Sequence, residues 1–180
     1  MPVTLVLTAT SPDKPGLIDL LSTTLAAHGA NWQHSRMATL GGQFAGLLQA
    51  SVPEKKLAAL ESALEGLRSE GLTVTIAAEP ARPPAPGLRR VKLETTGQDR
   101  PGIIKEIAHA LATRGVSIDE LESTCASASW SGEVMFKITA ELSVPAGVAT
   151  EQLCAVLENL GNELMVDIAI EEESLPSSPL

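Results

Sequence analysis

Apolar and polar residues alternate at the start of the chain, where Val3, Leu5 and Leu7 are interleaved with Thr4, Val6 and Thr8. A period of two predicts a strand with one buried face. From Leu17 the period lengthens: Ile18, Leu21 and Leu25 follow i, i+3, i+7 spacing, a helical stripe that Gly29 stops. Trp32 to Thr39 and Gln43 to Ala50 flank Gly41-Gly42, which reads as a hairpin. Ser51-Val52-Pro53-Glu54 is expected to open a second helix with the stripe Leu57, Leu60, Leu64 and Leu67, stopped by Gly71. Leu72, Val74 and Ile76 then alternate with Thr73 and Thr75 as a fourth strand.

The same order returns in the second half. Val91 and Leu93 lead to the stripe Ile104, Ile107 and Leu111, stopped by Gly115. Ile118 to Ala126 and Glu133 to Leu142 form a hairpin around Ser127 to Gly132, and Thr150 is placed to cap a helix carrying Leu153, Val156, Leu157 and Leu160. Leu164, Val166, Ile168 and Ile170 close the unit. A sequence echo runs through this: Asp13-Lys14-Pro15-Gly16-Leu17-Ile18 recurs 86 residues later as Asp99-Arg100-Pro101-Gly102-Ile103-Ile104, and the register holds without a gap to Gly29 and Gly115. Two copies of one unit follow. Each is a βαββαβ, ferredoxin-like unit, an α+β architecture with both helices on one face of a four-stranded antiparallel sheet. The expected boundaries are residues 1–79 and 89–172, joined by a proline-rich linker at 80–88 and followed by a disordered acidic tail at 173–180. The open sheet faces and edges are left for the sister unit to cover, edge to edge or face to face.

The repeated turn has its own chemistry. Proline suits the first position of a helix and disfavours helical geometry in the residue before it, so Lys14 and Arg100 should lie just outside the helices. Gly16 and Gly102 would then fall in the first helical turn, where N–H groups lack intrahelical acceptors and anions are favoured. A strand, Asp-basic-Pro-Gly and an apolar helix therefore build a corner able to hold a carboxylate. Asp13 and Asp99 are a symmetry pair rather than an acid–base dyad; each could take a ligand ammonium or a turn N–H.

Composition narrows the function. The formal net charge is −9, aromatic residues make up 2% of the chain and tyrosine is absent, so neither the basic surface nor the stacking faces of a nucleic-acid module are present. No direct nucleic-acid binding is expected. The N-terminal residues carry no basic segment before an apolar run, and no apolar stretch reaches membrane-spanning length, so a cytoplasmic protein without membrane contact is expected. Cys125 and Cys154 make neither a CxxC nor a zinc spacing and are expected to be buried free thiols. His28, His34 and His109 have no partners at ligand spacing, Glu120 and Glu122 read as a solvated face, and the nucleophile-elbow, P-loop, zincin and dinucleotide motifs are all missing. No catalysis, metal or cofactor is expected.

The βαββαβ unit with D-x-P-G-x-[IL] after its first strand resembles the ACT domain, a regulatory amino-acid-binding module, and the resemblance covers nearly the whole chain as a tandem pair. It implies an effector site at a domain interface, built from the turn after strand one and the start of strand two. Carried onto this chain, it points to Asp13, Lys14, Pro15, Gly16, Leu17, Ile18 and Asn31 in the first copy. In the second it points to Asp99, Arg100, Pro101, Gly102, Ile103 and Ile104, with Ser117 replacing the family's preferred asparagine. Stand-alone tandem pairs of this kind imply a small amino acid, glycine or similar, as effector. They also imply a LysR-type transcription factor of glycine cleavage genes as protein partner, and a homodimer is compatible. The alternative reading is an effector-binding regulatory subunit of an amino-acid metabolic enzyme.

Overall fold

The computed structural model describes residues 1–77, 87–127 and 134–172. Most of the expected linker, part of the second hairpin turn with Trp130, and the expected tail lie outside these residues. The chain divides into two compact units, Met1–Pro83 and Pro84–Leu180. Each is described by itself.

The first unit runs β1 (Pro2–Pro12), α1 (Leu17–Ala27), β2 (Asn31–Leu40), β3 (Gln43–Pro53), α2 (Leu57–Gly66) and β4 (Thr73–Ile76). The second runs β5 (Leu88–Gln98), α3 (Ile103–Ala112), β6 (Ser117–Ser127), β7 (Val134–Pro145), α4 (Thr150–Leu164) and β8 (Val166–Glu172). The sheet orders are β2-β3-β1-β4 and β6-β7-β5-β8, with every neighbouring pair antiparallel. This is the ferredoxin-like topology, twice. Leu7, Leu48, Leu21, Leu25, Leu60 and Leu64 are buried between sheet and helices in the first unit, as are Leu93, Ile138, Leu142, Leu111 and Leu153 in the second. Each such side chain contributes about 1.5–3 kcal/mol of hydrophobic burial. Both first helices end in the same motif: Ala30 N–H donates to the Leu25 carbonyl and Val116 N–H to the Leu111 carbonyl, around Gly29 and Gly115 at φ 67° and 70°.

Several expectations are corrected by competing geometry. Ser51, Val52 and Pro53 end β3 instead of opening a helix, because Ser51 pairs with Thr4 and Val52 with Val3. A short 3-10 turn, Glu54–Lys56, intervenes before α2, and another, Leu67–Glu70, carries the helical path on to Gly71. Ala149, not Thr150, is the residue before α4 and gives it no side-chain cap; the Thr150 hydroxyl accepts a 2.6 Å hydrogen bond from Arg89 Nη1. Leu88, placed in the expected linker, already belongs to β5, and β8 runs to Glu172. Cys125 is exposed, because the edge strand β6 extends beyond helical cover, and Cys154 is half-buried.

The edge strands carry a feature that period-two reading misses. The register of β2 shifts between Trp32 and His34, and that of β6 between Ile118 and Glu120. One extra residue on each strand, Gln33 or Asp119, makes a β-bulge at the same place in both units. In the first it lets Trp32 and Met37, five positions apart, both face the helices, opposite Ala50 and Gly46. Side-chain sizes are then exchanged between the units. Met37 packs over Gly46 and Ser35 lies opposite Leu48, whereas Ser123 lies opposite Ile138 and Leu121 opposite Ala140. Each cross-strand pair keeps one large and one small member, so both interiors fill.

One buried group in the second core is unmatched. Thr95, only 1% exposed, has a hydroxyl with no hydrogen-bond partner among the described residues, and the aligned residue of the first unit is Ala9. Thr95→Val keeps the shape and removes the orphaned hydroxyl, so it is expected to stabilise the second unit by about 1 kcal/mol. A higher urea midpoint is the expected reading, and a lower one contradicts it.

Candidate functional site

β1 ends at Pro12 and the chain turns through Asp13 to Gly16 before α1. Gly16 is the N-cap, at φ 92° and ψ 1°, and Gly102 occupies the same place before α3 at φ 100° and ψ −6°. The helices begin at Leu17 and Ile103, one residue beyond each glycine, so Pro15 and Pro101 stand outside them. The expectation that proline takes the first helical position is corrected here. The chain must reverse sharply to lay the helix back over the sheet, and only glycine enters the left-handed region at no steric cost. Lys14 and Arg100 do lie outside the helices.

Neither helix has a side-chain cap at its start, so the N–H groups of each first turn have no intrahelical acceptor. The first backbone bonds that close are Leu20 N–H to the Gly16 carbonyl at 2.9 Å and Glu106 N–H to the Gly102 carbonyl at 3.0 Å. A Cβ built on Gly16 or Gly102 would meet nothing within 4 Å, so both corners are open to solvent. The expected stripes are corrected by one position: Leu17 and Ile103 face the cores with Leu21, Leu25, Ile107 and Leu111, while Ile18 and Ile104 point outward at 52% and 39% exposure.

The turns differ in how they are held. Asp13 N–H donates to the Gly42 carbonyl and Asp99 N–H to the Val134 carbonyl, each at 2.9 Å, which ties both turns to the neighbouring hairpin. Asp13 Oδ1 also accepts a long 3.4 Å bond from Thr39 Oγ1, and Lys14 Nζ donates to the Glu70 carbonyl at 2.5 Å. Lys14 is therefore a strap between the turn and the end of the second helical segment, capping carbonyls there. In the second unit Cys125 stands opposite Phe136 where Thr39 stands opposite Phe44, so Asp99 has no such hydroxyl. Arg100 is half-buried, and its Nη2 is buried without a hydrogen-bond partner among the described residues. Thr39, Gly42 and the Glu70 carbonyl were not singled out from sequence. The signal for the first two was the antiparallel register, which brings the hairpin tip beside the end of β1.

Asn31 and Ser117 are not brought to their turns. Asn31 pairs with Ser51, which pairs with Thr4 near the start of β1, whereas the turn follows Pro12 at its far end. Ser117 likewise pairs with Ser143, which pairs with Arg90 near the start of β5, with the second turn beyond Gln98. Eight residues of strand separate them along β1 and β5, about 26 Å at ~3.3 Å per residue. The cause is topological: α1 and α3 carry the chain back across the sheet before β2 and β6 begin. Within one unit the turn and the strand start cannot touch the same small ligand.

Among the described residues no cluster of His, Cys, Asp or Glu could hold a metal ion, and no helix is long and apolar enough to cross a membrane. His28 Nδ1 lies 2.8 Å from the Thr24 carbonyl at the end of α1, a structural placement.

Comparison with known proteins agrees with this architecture. Two ACT domain family models match, over residues 3–77 and 91–152. The glycine cleavage system transcriptional repressor of Escherichia coli strain K12 is 25% identical over 177 residues, covering 94% of this chain and 93% of its own. The crystal structure of a Galdieria sulphuraria protein of unknown function superposes with a TM-score of 0.83 at 29% identity, covering 97% of this chain and 100% of that one. Another, provisionally assigned as a glycine cleavage system transcriptional repressor, gives a TM-score of 0.71 at 20% identity over 97% and 99% of the two chains, a likeness of fold alone. With two family models spanning most of its length, this chain belongs to the ACT-domain family.

Proposed function

We propose that the chain is a non-catalytic, cytoplasmic amino-acid sensor whose two Asp-basic-Pro-Gly turns are the effector corners. It would regulate a LysR-type transcription factor of glycine cleavage genes by protein contact. The observation that supports this most directly is the pair of uncapped helix starts, each opened by a glycine at positive φ. The ligand carboxylate would accept from the free N–H groups of Leu17 and Ile18, or of Ile103 and Ile104, and a carboxylate beside the corner, Asp13 or Asp99, would hold the ammonium. Asn31 and Ser117 would contribute only where the start of a second strand from another ACT unit meets the turn, which fits a site at a domain interface. Glycine or a similarly small amino acid suits so shallow a corner. The likeness to the Escherichia coli repressor supports a role in glycine cleavage regulation.

Co-purification from cell extract with and without glycine tests the reading: a LysR-type factor whose recovery changes with glycine supports it. Recovery of a biosynthetic enzyme instead would favour the regulatory-subunit alternative. The isolated protein is expected to give no DNA gel shift at low micromolar concentration, since phosphate neutralisation supplies most non-specific affinity and this chain carries a net −9. A salt-sensitive shift would contradict that.

A further inference from the structure

The sheet faces turned away from the helices differ sharply between the two units at matched positions. On β5 the outward residues Arg90, Lys92 and Glu94 are charged; the residues aligned with them on β1 are Thr4, Val6 and Thr8. On β7 the outward residues are Lys137, Thr139 and Glu141, and the register puts Ala45, Leu47 and Gln49 at those places on β3. The second face is a solvated charge lattice, with Lys92 Nζ 2.7 Å from Glu94 Oε1. The first has no aspartate or glutamate among its outward positions, and its charge is confined to Arg36 on the edge strand β2, with His34 beside it. Leu47, at 54% exposure, sits in its middle beside Thr8.

We propose that this face of the first unit, free of carboxylates and lysines, is where a second copy of the chain docks, sheet face to sheet face. Two features select that occupant. The first is self-complementarity: a face of threonine, valine, alanine and leucine laid on itself desolvates no carboxylate and no lysine, and its single arginine, Arg36, lies on the edge strand β2 opposite Leu47. A lattice like that of the second unit would be a poor cover, since its lysines and carboxylates would lose water without gaining partners. The second is area. The four strands, of 11, 10, 11 and 4 residues, at ~3.3 Å per residue and about 4.8 Å spacing, give about 600 Å² per copy. Two copies then bury ~1,200 Å², at the lower end of stable interfaces. Side chains of this size also suit the ~10 Å spacing of stacked sheets.

The test is sedimentation of the full chain and of the double variant Val6→Lys/Thr8→Glu, which transplants the residues of the second unit, Lys92 and Glu94, to their matched sites. The second unit folds with that pair, so the first should also fold, and circular dichroism checks it. Should the double variant not fold, Ala45→Lys, copying Lys137, takes its place. The wild type is expected to be a dimer at micromolar concentration, and the folded variant to dissociate about 100-fold more readily. A wild type that stays monomeric up to ~100 μM overturns the proposal, as does a dimer that the variant leaves intact, which would place the interface elsewhere.

Discussion

A methyl group at Gly161 is expected to destabilise the second unit by about 2–3 kcal/mol, the upper range for overpacking a close contact. Gly161 is buried on α4 where the helix crosses β8, and a Cβ there would stand 2.7 Å from the Val166 carbonyl oxygen, a backbone atom that cannot rotate away. Val166 is pressed from the other side too. Gly97, its partner on β5, has room for no side chain: a Cβ would lie 2.5 Å from Val166 Cγ1 and 3.0 Å from Val166 Cα. Val166 is thus clamped between two glycines. Gly97→Ala should do comparable damage, and because both substitutions strain one residue their costs should not add. Hydrogen exchange in β8 is the measurement: faster exchange in Gly161→Ala is expected, and unchanged protection would show that α4 can lift away freely. The consequence reaches the candidate site, since β8 supports β5 and Gln98 of β5 leads directly into Asp99.

The glycine clamp was not legible in the sequence, whereas the elements it joins were. Periodicity and the 86-residue echo carried the strand and helix order, the stops at Gly29, Gly71 and Gly115, and most of the helix-side cores, though Leu17 and Ile103 stand where Ile18 and Ile104 were expected. Those features are local, set by spacing along the chain. What failed was non-local. Gly161 and Gly97 are 64 residues apart and acquire meaning only when Val166 lies between them. The bulges at Gln33 and Asp119 broke the alternation rule, though the odd spacing of Trp32 and Met37 was a usable sign. The turns were legible as corners, but not their left-handed glycines, nor the strap from Lys14 to the Glu70 carbonyl. The grouping of Asn31 with Asp13 came from the family resemblance, and one helix length of backtracking pulls the two apart.

Gly16→Val is expected to lose amino-acid binding by about 100-fold or more and also to weaken the first unit. A residue at a surface turn can ordinarily be replaced with little cost to the fold. The backbone alters that expectation: at φ 92° a β-branched residue is strained, at a cost of about 1–3 kcal/mol. Space is not the cause, because nothing lies within 4 Å of a Cβ there. The valine methyl groups would instead fill the open corner over the Leu17 and Ile18 N–H groups that the carboxylate needs. Strain and lost affinity must therefore be separated. Gly29→Ala supplies the control, since Gly29 also has positive φ, at 67°, but lies at the opposite end of the sheet. It should weaken the fold and leave affinity unchanged.

Calorimetric titration of glycine, and then of the other amino acids, into the full-length wild type and these two variants is the most direct test of the sensor assignment. Saturable binding in the wild type and in Gly29→Ala, lost in Gly16→Val and requiring both the ligand carboxylate and its ammonium, is the expected result. Equal affinity in the wild type and Gly16→Val would remove the first turn as the site, and no binding of any amino acid would contradict the account itself.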